Sequence, residues 1–331
     1  MIHQLKYIIT TETDPYKNLA LEEYLLKTVK KDECILYLWQ NERTVVIGKN
    51  QNPWKECKNS ELEADGGRLV RRLSGGGAVF HDLGNLNFTF LAAKENYDVE
   101  RQLEVILQAV KQLGIPAEKT GRNDISVEGR KFSGNAFFSD GTKNYHHGTI
   151  LICVDMSMLS HYLNVARDKL VSKGVDSVRS RVANLTEYNE TITIERMKQE
   201  LLSAFQKVYG FLPQRLDEST FDKELLQKLE HKFASWDWNY GKRLEFNYTV
   251  SCRFSWGDFD LKLVVESGMI KECMIYSDSL ETWLFEQLPK LWEGCIFSSS
   301  AMLEAMEAYP VSAGEEAMLQ DIAALIKGEN I

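Results

Sequence analysis

Apolar and polar positions change period several times along the chain. Asp14-Pro15 reads as an N-cap and first helical position, and Leu21, Tyr24, Leu25, Thr28 and Val29 fall on one stripe behind it, which predicts a packed amphipathic helix. Short β-rich runs follow at Ile35 to Trp39, Thr44 to Ile47, Gly67 to Arg71 and Leu86 to Phe90, separated by Gly, Asn and Pro. Leu103, Ile106, Leu107, Val110 and Leu113 then recur at helical spacing. Strands are predicted over Asp124 to Val127 and Gly148 to Ile152, and a helix from Ile194 to Val208. Such irregular alternation predicts an α+β domain with a mixed or antiparallel sheet. Beyond Phe246 the pattern changes. Phe259, Leu261, Leu263 and Val265 alternate with polar partners, Ser267-Gly268 forms a two-residue turn, and Met269 to Tyr276 returns. Helical segments at Thr282 to Trp292, Ala301 to Ala308 and Glu315 to Ile326 complete a small α+β domain.

Composition sharpens this picture. With 331 residues, 44% of them hydrophobic, the chain can bury a sizeable core in one large domain or two, and disorder as the main state is excluded. The net charge of -9 is unevenly placed: residues 1–245 hold 34 basic and 34 acidic side chains, residues 246–331 hold 5 and 14. The break supports a boundary there, giving domains 1–245 and 246–331. An acidic tail on a neutral body offers no basic stripe for phosphates, so a nucleic-acid partner is not expected. No apolar run reaches bilayer length and the N-terminus lacks signal-peptide character, so a cytoplasmic protein without a membrane partner is expected. Six dispersed cysteines without metal-ligand spacing read as reduced thiols, mostly core filler.

Candidate chemistry concentrates in four stretches. The first is Arg71-Arg72-Leu73-Ser74-Gly75-Gly76-Gly77-Ala78-Val79-Phe80-His81-Asp82. A triple glycine alone is a flexible turn. Here two arginines precede it and no acid occurs between Asp65 and Asp82, so the loop is cationic and rich in backbone N–H donors, suited to carboxylate or phosphate. It matches neither the Walker phosphate loop nor the dinucleotide fingerprint. The second runs from Gly121-Arg122-Asn123-Asp124 to Gly129-Arg130-Lys131-Phe132-Ser133-Gly134. A turn at Glu128-Gly129 would place the Lys131 ammonium on a strand beside Ser133, and Asp124 could hold Mg²⁺; a solvated lysine and a turn carboxylate are the plainer readings. The third is Tyr145-His146-His147-Gly148-Thr149, whose adjacent histidines point to opposite faces of a strand and so favour structural or orienting hydrogen bonds over shared metal ligation. The fourth, Arg167 to Arg181, carries five basic and two acidic residues, and its Ser-x-Arg-Ser-Arg run suits a loop closing over an anion.

Taken in order, together with Asn18-Leu19-Ala20-Leu21-Glu22-Glu23, Gly48-Lys49-Asn50-Gln51-Asn52-Pro53-Trp54 and Ser177-Val178-Arg179-Ser180-Arg181-Val182-Ala183-Asn184-Leu185, these motifs resemble the bacterial lipoate-protein ligases of the two-domain type over nearly the whole chain. The resemblance implies an enzyme that joins lipoate to ATP, with Mg²⁺, to give lipoyl-AMP and pyrophosphate. It then passes the lipoyl group to a lysine on lipoyl domains of 2-oxoacid dehydrogenase E2 subunits or on a glycine-cleavage carrier protein. By similarity Arg72, Ser74 and the backbone of Gly75, Gly76, Gly77, Ala78, Val79 and Phe80 line the loop holding lipoate and the adenylate phosphate. Lys131 is the catalytic charge that contacts carboxylate and α-phosphate, with Asn123, Asp124 and Ser133 nearby and Asp124 as the Mg²⁺ candidate. Arg179 and Arg181 lie in the adenylate-covering loop, and His147 supports the site. The segment from about Phe246 is implied to be the accessory domain.

Two other classes remain. A cysteine-dependent lipoyl or octanoyl transferase needs no ATP, but Lys119 to Asn123 lacks the cysteine that branch places before the Asp-Ile-Ser segment, and Cys153 reads as core. A non-catalytic lipoate-binding paralogue is the third possibility, against which Arg72, Asp124 and Lys131 stand intact.

Overall fold

A computed structural model describes residues 1–120, 124–164, 182–241, 246–311, 314–329 and 331. Its packing divides the chain into two units: a larger one of Met1–Ile47, Trp54–Arg72 and Val79–Asn239, and a smaller one of Gly48–Pro53, Leu73–Ala78 and Tyr240–Ile331. Two short excursions from the N-terminal half, one of them the glycine loop, therefore pack with the C-terminal segment.

The larger unit is built on a mixed eight-stranded sheet of order β11-β1-β2-β6-β10-β9-β8-β7. Its strands are β1 (Gln4–Ile9), β2 (Glu33–Trp39), β6 (Asn85–Ala93), β7 (Ala117–Thr120), β8 (Asp124–Val127), β9 (Arg130–Ser139), β10 (Lys143–Leu151) and β11 (Gln214–Arg215). The β1/β11 and β1/β2 pairs are parallel and the others antiparallel. A second sheet of order β4-β3-β5 joins β3 (Thr44–Ile47), β4 (Arg68–Arg71) and β5 (Val79–His81).

Alternation along the strands gives the large sheet two different faces. Leu36, Leu38, Phe88, Phe90, Ile125, Val127 and Ile150 turn to one, where they pack with Leu103, Ile106 and Val110 of α4 (Val99–Gln112) and Met197, Leu201 and Phe205 of α6 (Ile194–Tyr209). Caps fix these helices: Asp98 and Thr193 accept from the N–H groups of Arg101 and Arg196, and α6 stops at Gly210, whose φ of 80° favours glycine. The register Tyr37↔Thr89↔His147↔Ala136 lies on the opposite, more polar face.

That polar face corrects the reading of α1 (Pro15–Thr28). Asp14 caps it as expected, accepting from Tyr16 N–H at 2.9 Å. Leu21 and Thr28 are not buried, whereas Asn18, Glu22 and Glu23 are. Buried polar groups persist because they are bonded, and a hydrophobicity pattern assigns them to solvent. Strand β10 likewise begins five residues before the predicted strand, since Asn144, His146 and His147 look polar yet hold ladder positions against β6 and β9. Short helices α2 (Pro53–Glu56), α3 (Asn59–Ala64) and α5 (Met156–Tyr162), and later α7 (Lys223–Ala234) and α8 (Trp236–Tyr240), complete the helical elements described in this half.

In the smaller unit β12 (Tyr248–Phe254), β13 (Gly257–Glu266) and β14 (Met269–Tyr276) form an antiparallel sheet. Ser267 and Gly268, with φ of 52° and 75°, make the predicted two-residue hairpin turn. Helices α9 (Trp283–Trp292), α10 (Ser299–Glu307) and α11 (Glu316–Glu329) cover it through Leu284, Leu288, Trp292, Met302 and Ile322. The molecule is α+β throughout. Cysteine placement departs from expectation: Cys34, Cys57 and Cys273 are buried, but Cys252 and Cys295 only partly, and Cys153 is exposed. Cys153 lies beyond the end of β10 at Leu151, between the buried Ile152 and Val154.

Candidate functional site

The polar face of the large sheet gathers the candidate chemistry. Asp124 pairs with Gly134 across β8/β9, and His147 with Ala136 across β9/β10, so all four share a face. Lys131 lies three positions before Gly134, which on a regular strand would put its side chain on the other side. A bulge opposite Ile125/Ser126 absorbs the odd residue, and the Lys131 side chain returns over Gly134. Its Nζ reaches Asp124 Oδ1 at 2.7 Å, with both side chains about one-third exposed. A Cβ on Gly134 would lie 2.9 Å from that Nζ, so glycine there leaves room for the ammonium. The turn preceding β9 is Glu128-Gly129, both at positive φ. Ser133 lies in the bulge opposite Ile125, fully buried, its Oγ without a hydrogen-bond partner among the described residues.

Deeper on the same face lies a buried polar network. Glu22 Oε1 meets His147 Nδ1 at 2.8 Å and accepts from Thr89 Oγ1 at 2.7 Å, while Trp39 Nε1 donates to Thr89 Oγ1 at 3.1 Å. Tyr37 donates to Asn18, and Asn18 to Asn41, whose amide faces His81 Nδ1 at 3.3 Å. Burial, reinforced by the charges of Arg72 and His147, pulls His81 down to about 3, so its ring is neutral. Burial also lowers the Arg72 guanidinium to about 10, opposed by Tyr145 and Glu22; it keeps its charge at neutral pH. Arg72 is thus a sequestered cation tied to Val46 O at 3.2 Å, electrostatically coupled to Glu22. His146 turns the other way, to Gln102 and Asn135 at 3.2 and 2.7 Å, and burial takes it to about 3. The two histidines therefore serve opposite faces, as their adjacency requires.

The two arginines before the glycines have separate fates. Arg71 points its guanidinium at the Trp238 and Asn239 carbonyls, at 2.9 and 2.7 Å. Only Arg72 joins the polar network. Val79 and Phe80 belong to β5, with Phe80 buried against Tyr162. Leu73, Ser74, Gly75 and Gly76 are buried in the smaller unit. There the glycine loop meets two other segments: Ser74 O accepts from Lys49 N–H, and Gly76 N–H donates to Ser279 O, both at 2.9 Å. A Cβ on Gly75 would fall 2.4 Å from Ser279 O, and one on Gly48 2.1 Å from Gly76 O. Gly76 has a φ of 93°, whereas a Cβ on Gly77 would meet nothing within 4 Å. Ala78 is half-buried beside it. Asn123, Arg179 and Arg181 lie outside the described residues; just beyond the last, Val182 bridges Lys131 and Ala183 N–H donates to Lys131 O at 2.9 Å.

Residues 14–206 match the family described as lipoyl protein ligase A/B catalytic domain, and residues 243–326 match bacterial lipoate protein ligase C-terminus. The chain belongs to the lipoate-protein ligase family. Lipoate-protein ligase A of Psychrobacter cryohalolentis is 44% identical over 293 residues, 86% of each chain. Among solved structures, P. falciparum LipL1 in complex with lipoate superposes with a TM-score of 0.85 at 31% identity, covering 97% of this chain and 99% of that one. A bipartite ligase, studied with its E2 lipoyl domain, from Thermoplasma acidophilum gives a TM-score of 0.64 at 28% identity, over 74% of this chain and 99% of that one. A lipoate-protein ligase A bound with ATP gives 0.63 at 26%, over 73% and 99%.

Glu22, Trp39, His81 and Thr89 lie in the buried polar network although sequence reasoning gave none of them a site role, quoting Glu22 and His81 only within longer motifs. A signal existed for Glu22: Asn18 and Glu22 are spaced i, i+4, a polar pair on one side of α1. No helix among the described residues is long and apolar enough to cross a membrane.

Proposed function

We propose that the protein activates lipoate with ATP and transfers the lipoyl group to a carrier lysine. The observation that carries this reading is the gathering of Lys131, Asp124 and His147 on one sheet face, in the unit that also buries the Arg72 cation. Joining a carboxylate to a triphosphate forces two anions together, and fixed cations offset their repulsion without reorganising during the reaction. A lipoate carboxylate oxygen attacks the α-phosphorus, pyrophosphate leaves, and lipoyl-AMP remains. A carrier lysine amine then attacks the acyl carbon, forming the amide as AMP departs and the amine proton is lost. Lys131 stabilises negative charge in both steps, exchanging its ion pair with Asp124 for ligand oxygens.

The donor set suits Mg²⁺, which binds through one or two carboxylates and completes its shell with water and substrate phosphates. Asp124 is partly exposed and keeps one carboxylate oxygen beyond its bond to Lys131, and no cluster of three or more His, Cys, Asp or Glu occurs among the described residues. When bound, the ion neutralises triphosphate charge. Lipoyl domains of E2 subunits, as studied with the T. acidophilum ligase, are the first acceptors of this reading, with a glycine-cleavage carrier protein as a second.

A cysteine-dependent transferase is disfavoured by Cys153, just after the His146-His147-Gly148-Thr149 motif: desolvation and the Asp82 carboxylate raise its pKa, leaving the less nucleophilic thiol. The test combines purified protein, lipoate, ATP-Mg²⁺ and lipoyl domain, followed by mass spectrometry. Lipoylation with pyrophosphate release is expected; modification only from an acyl thioester, without ATP, would refute the proposal.

A further inference from the structure

Strand β4 is an edge of the β4-β3-β5 sheet, so among the described residues one side of its backbone has no neighbouring strand. At Arg71, its last residue, helix α8 takes that place. Asn239 Oδ1 accepts the Arg71 backbone N–H at 2.8 Å, and Trp238 Nε1 donates to the Arg71 carbonyl at 2.8 Å. The Arg71 guanidinium answers by donating to the Trp238 and Asn239 carbonyls. The clamp is itself held. Asn239 Nδ2 donates to Phe233 O and Ser235 O at 2.7 and 3.0 Å, and the Trp238 ring packs edge-on against Phe233 with Lys232 Nζ 4.3 Å from its centre. Lys232 in turn pairs with Glu23 of α1 at 2.6 Å, next to Glu22. Neither family match covers this segment, which falls between residues 206 and 243.

Successive strand side chains point to opposite sides, so drawing Arg71 onto α8 sets the direction of Arg72 towards the polar network. We infer that Trp238 and Asn239 are positioning residues for Arg72, acting through Arg71. The inference rests on the ligase reading, in which Arg72 faces an anionic substrate. A displacement of about 1 Å in such a group costs roughly 10²-fold in rate.

The experiment measures lipoate-dependent pyrophosphate release, melting temperature and calorimetric lipoate affinity for Trp238→Phe, Asn239→Leu and Phe233→Leu. Trp238→Phe removes one donor and keeps a ring, so it folds even if Asn239→Leu does not. Phe233→Leu thins the same junction without removing a bond to Arg71 and serves as the stability control. Trp238→Phe and Asn239→Leu are expected to lower kcat/KM for lipoate about 10- to 100-fold, with weaker lipoate binding, while Phe233→Leu lowers the melting temperature alone. In an Arg72→Lys background, where a flexible point charge depends less on backbone direction, the clamp variants should cost less than about threefold more. Full additivity in that background, or losses matched by Phe233→Leu, would overturn the inference. An active wild type with unaffected clamp variants sinks the inference alone; a wild type inert towards lipoate and ATP sinks the ligase reading and this inference with it.

Discussion

The glycine loop permits a test in which protein and ligand respond separately. Gly77 is exposed, its φ is not in the left-handed region, and a Cβ there meets no atom within 4 Å. Gly77→Val should therefore fold with stability changed by no more than about 0.5 kcal/mol, as for other exposed positions away from packing and strained backbone. If the loop receives lipoate or its adenylate, the added isopropyl group occupies ligand space, and a displacement of about 1 Å at the reacting carboxylate costs roughly 10²-fold. Gly76 is a poorer probe, because its φ of 93° strains any side chain whether or not a ligand is near. Gly48→Ala gives the complementary case. Its Cβ would sit 2.1 Å from Gly76 O, where real contacts stay beyond 3.0 Å, so the carbonyl must retreat by nearly 1 Å and carry the loop with it. Thermal unfolding and lipoate-dependent pyrophosphate release, measured over a range of lipoate, check both variants. Gly77→Val should melt with the wild type and lose most of kcat/KM, and Gly48→Ala should lose both. Gly77→Val kinetics within about threefold of wild type would place the acid elsewhere and refute the loop assignment.

Three further outcomes are expected. Lys131→Ala should fold yet lose about 10²- to 10³-fold in both adenylation and transfer from preformed lipoyl-AMP, with little recovery in Lys131→Arg; near-normal rates in either half-reaction contradict a charge used in both. Cys153→Ser should leave ATP-dependent lipoylation unchanged, and loss of activity in the folded variant would favour the thioester route. His81 and His146, both near 3 when folded against an ordinary 6.5, leave the unfolded chain with more bound protons below pH 6.5, so stability is complete above that value and falls as pH drops towards 3. Each contributes a slope of about 1.4 kcal/mol per pH unit at most, and denaturant midpoints at pH 7 and pH 5 should show it, with a shallower fall in His146→Gln.

What could be read from the sequence divides along a physical line. Segments whose partners are close in sequence were legible: Asp124–Val127 and Met269–Tyr276 fall where alternation and turn residues put them, and Asp14 caps α1 through a bond two residues away. The strands that pattern did not reveal include β5, β7 and β11, which are short, β1, whose second partner β11 lies about 200 residues on, and β12, of which only Val250 is buried. The same distinction governs the site. Lys131 was recognisable beside its turn, but its presence on the Asp124 face depends on a bulge that single-strand alternation cannot reveal. Glu22 was hidden because a carboxylate scores as solvent-facing until its partners, 67 and 125 residues away at Thr89 and His147, are known. Arg71 and Arg72 are indistinguishable as neighbours in a basic run, and only the Trp238–Asn239 carbonyls, 167 and 168 residues later, make one a strut and leave the other as the buried cation beside the polar network. Charge composition can propose an anion site; deciding which cation serves it requires knowing which of them the fold has already used.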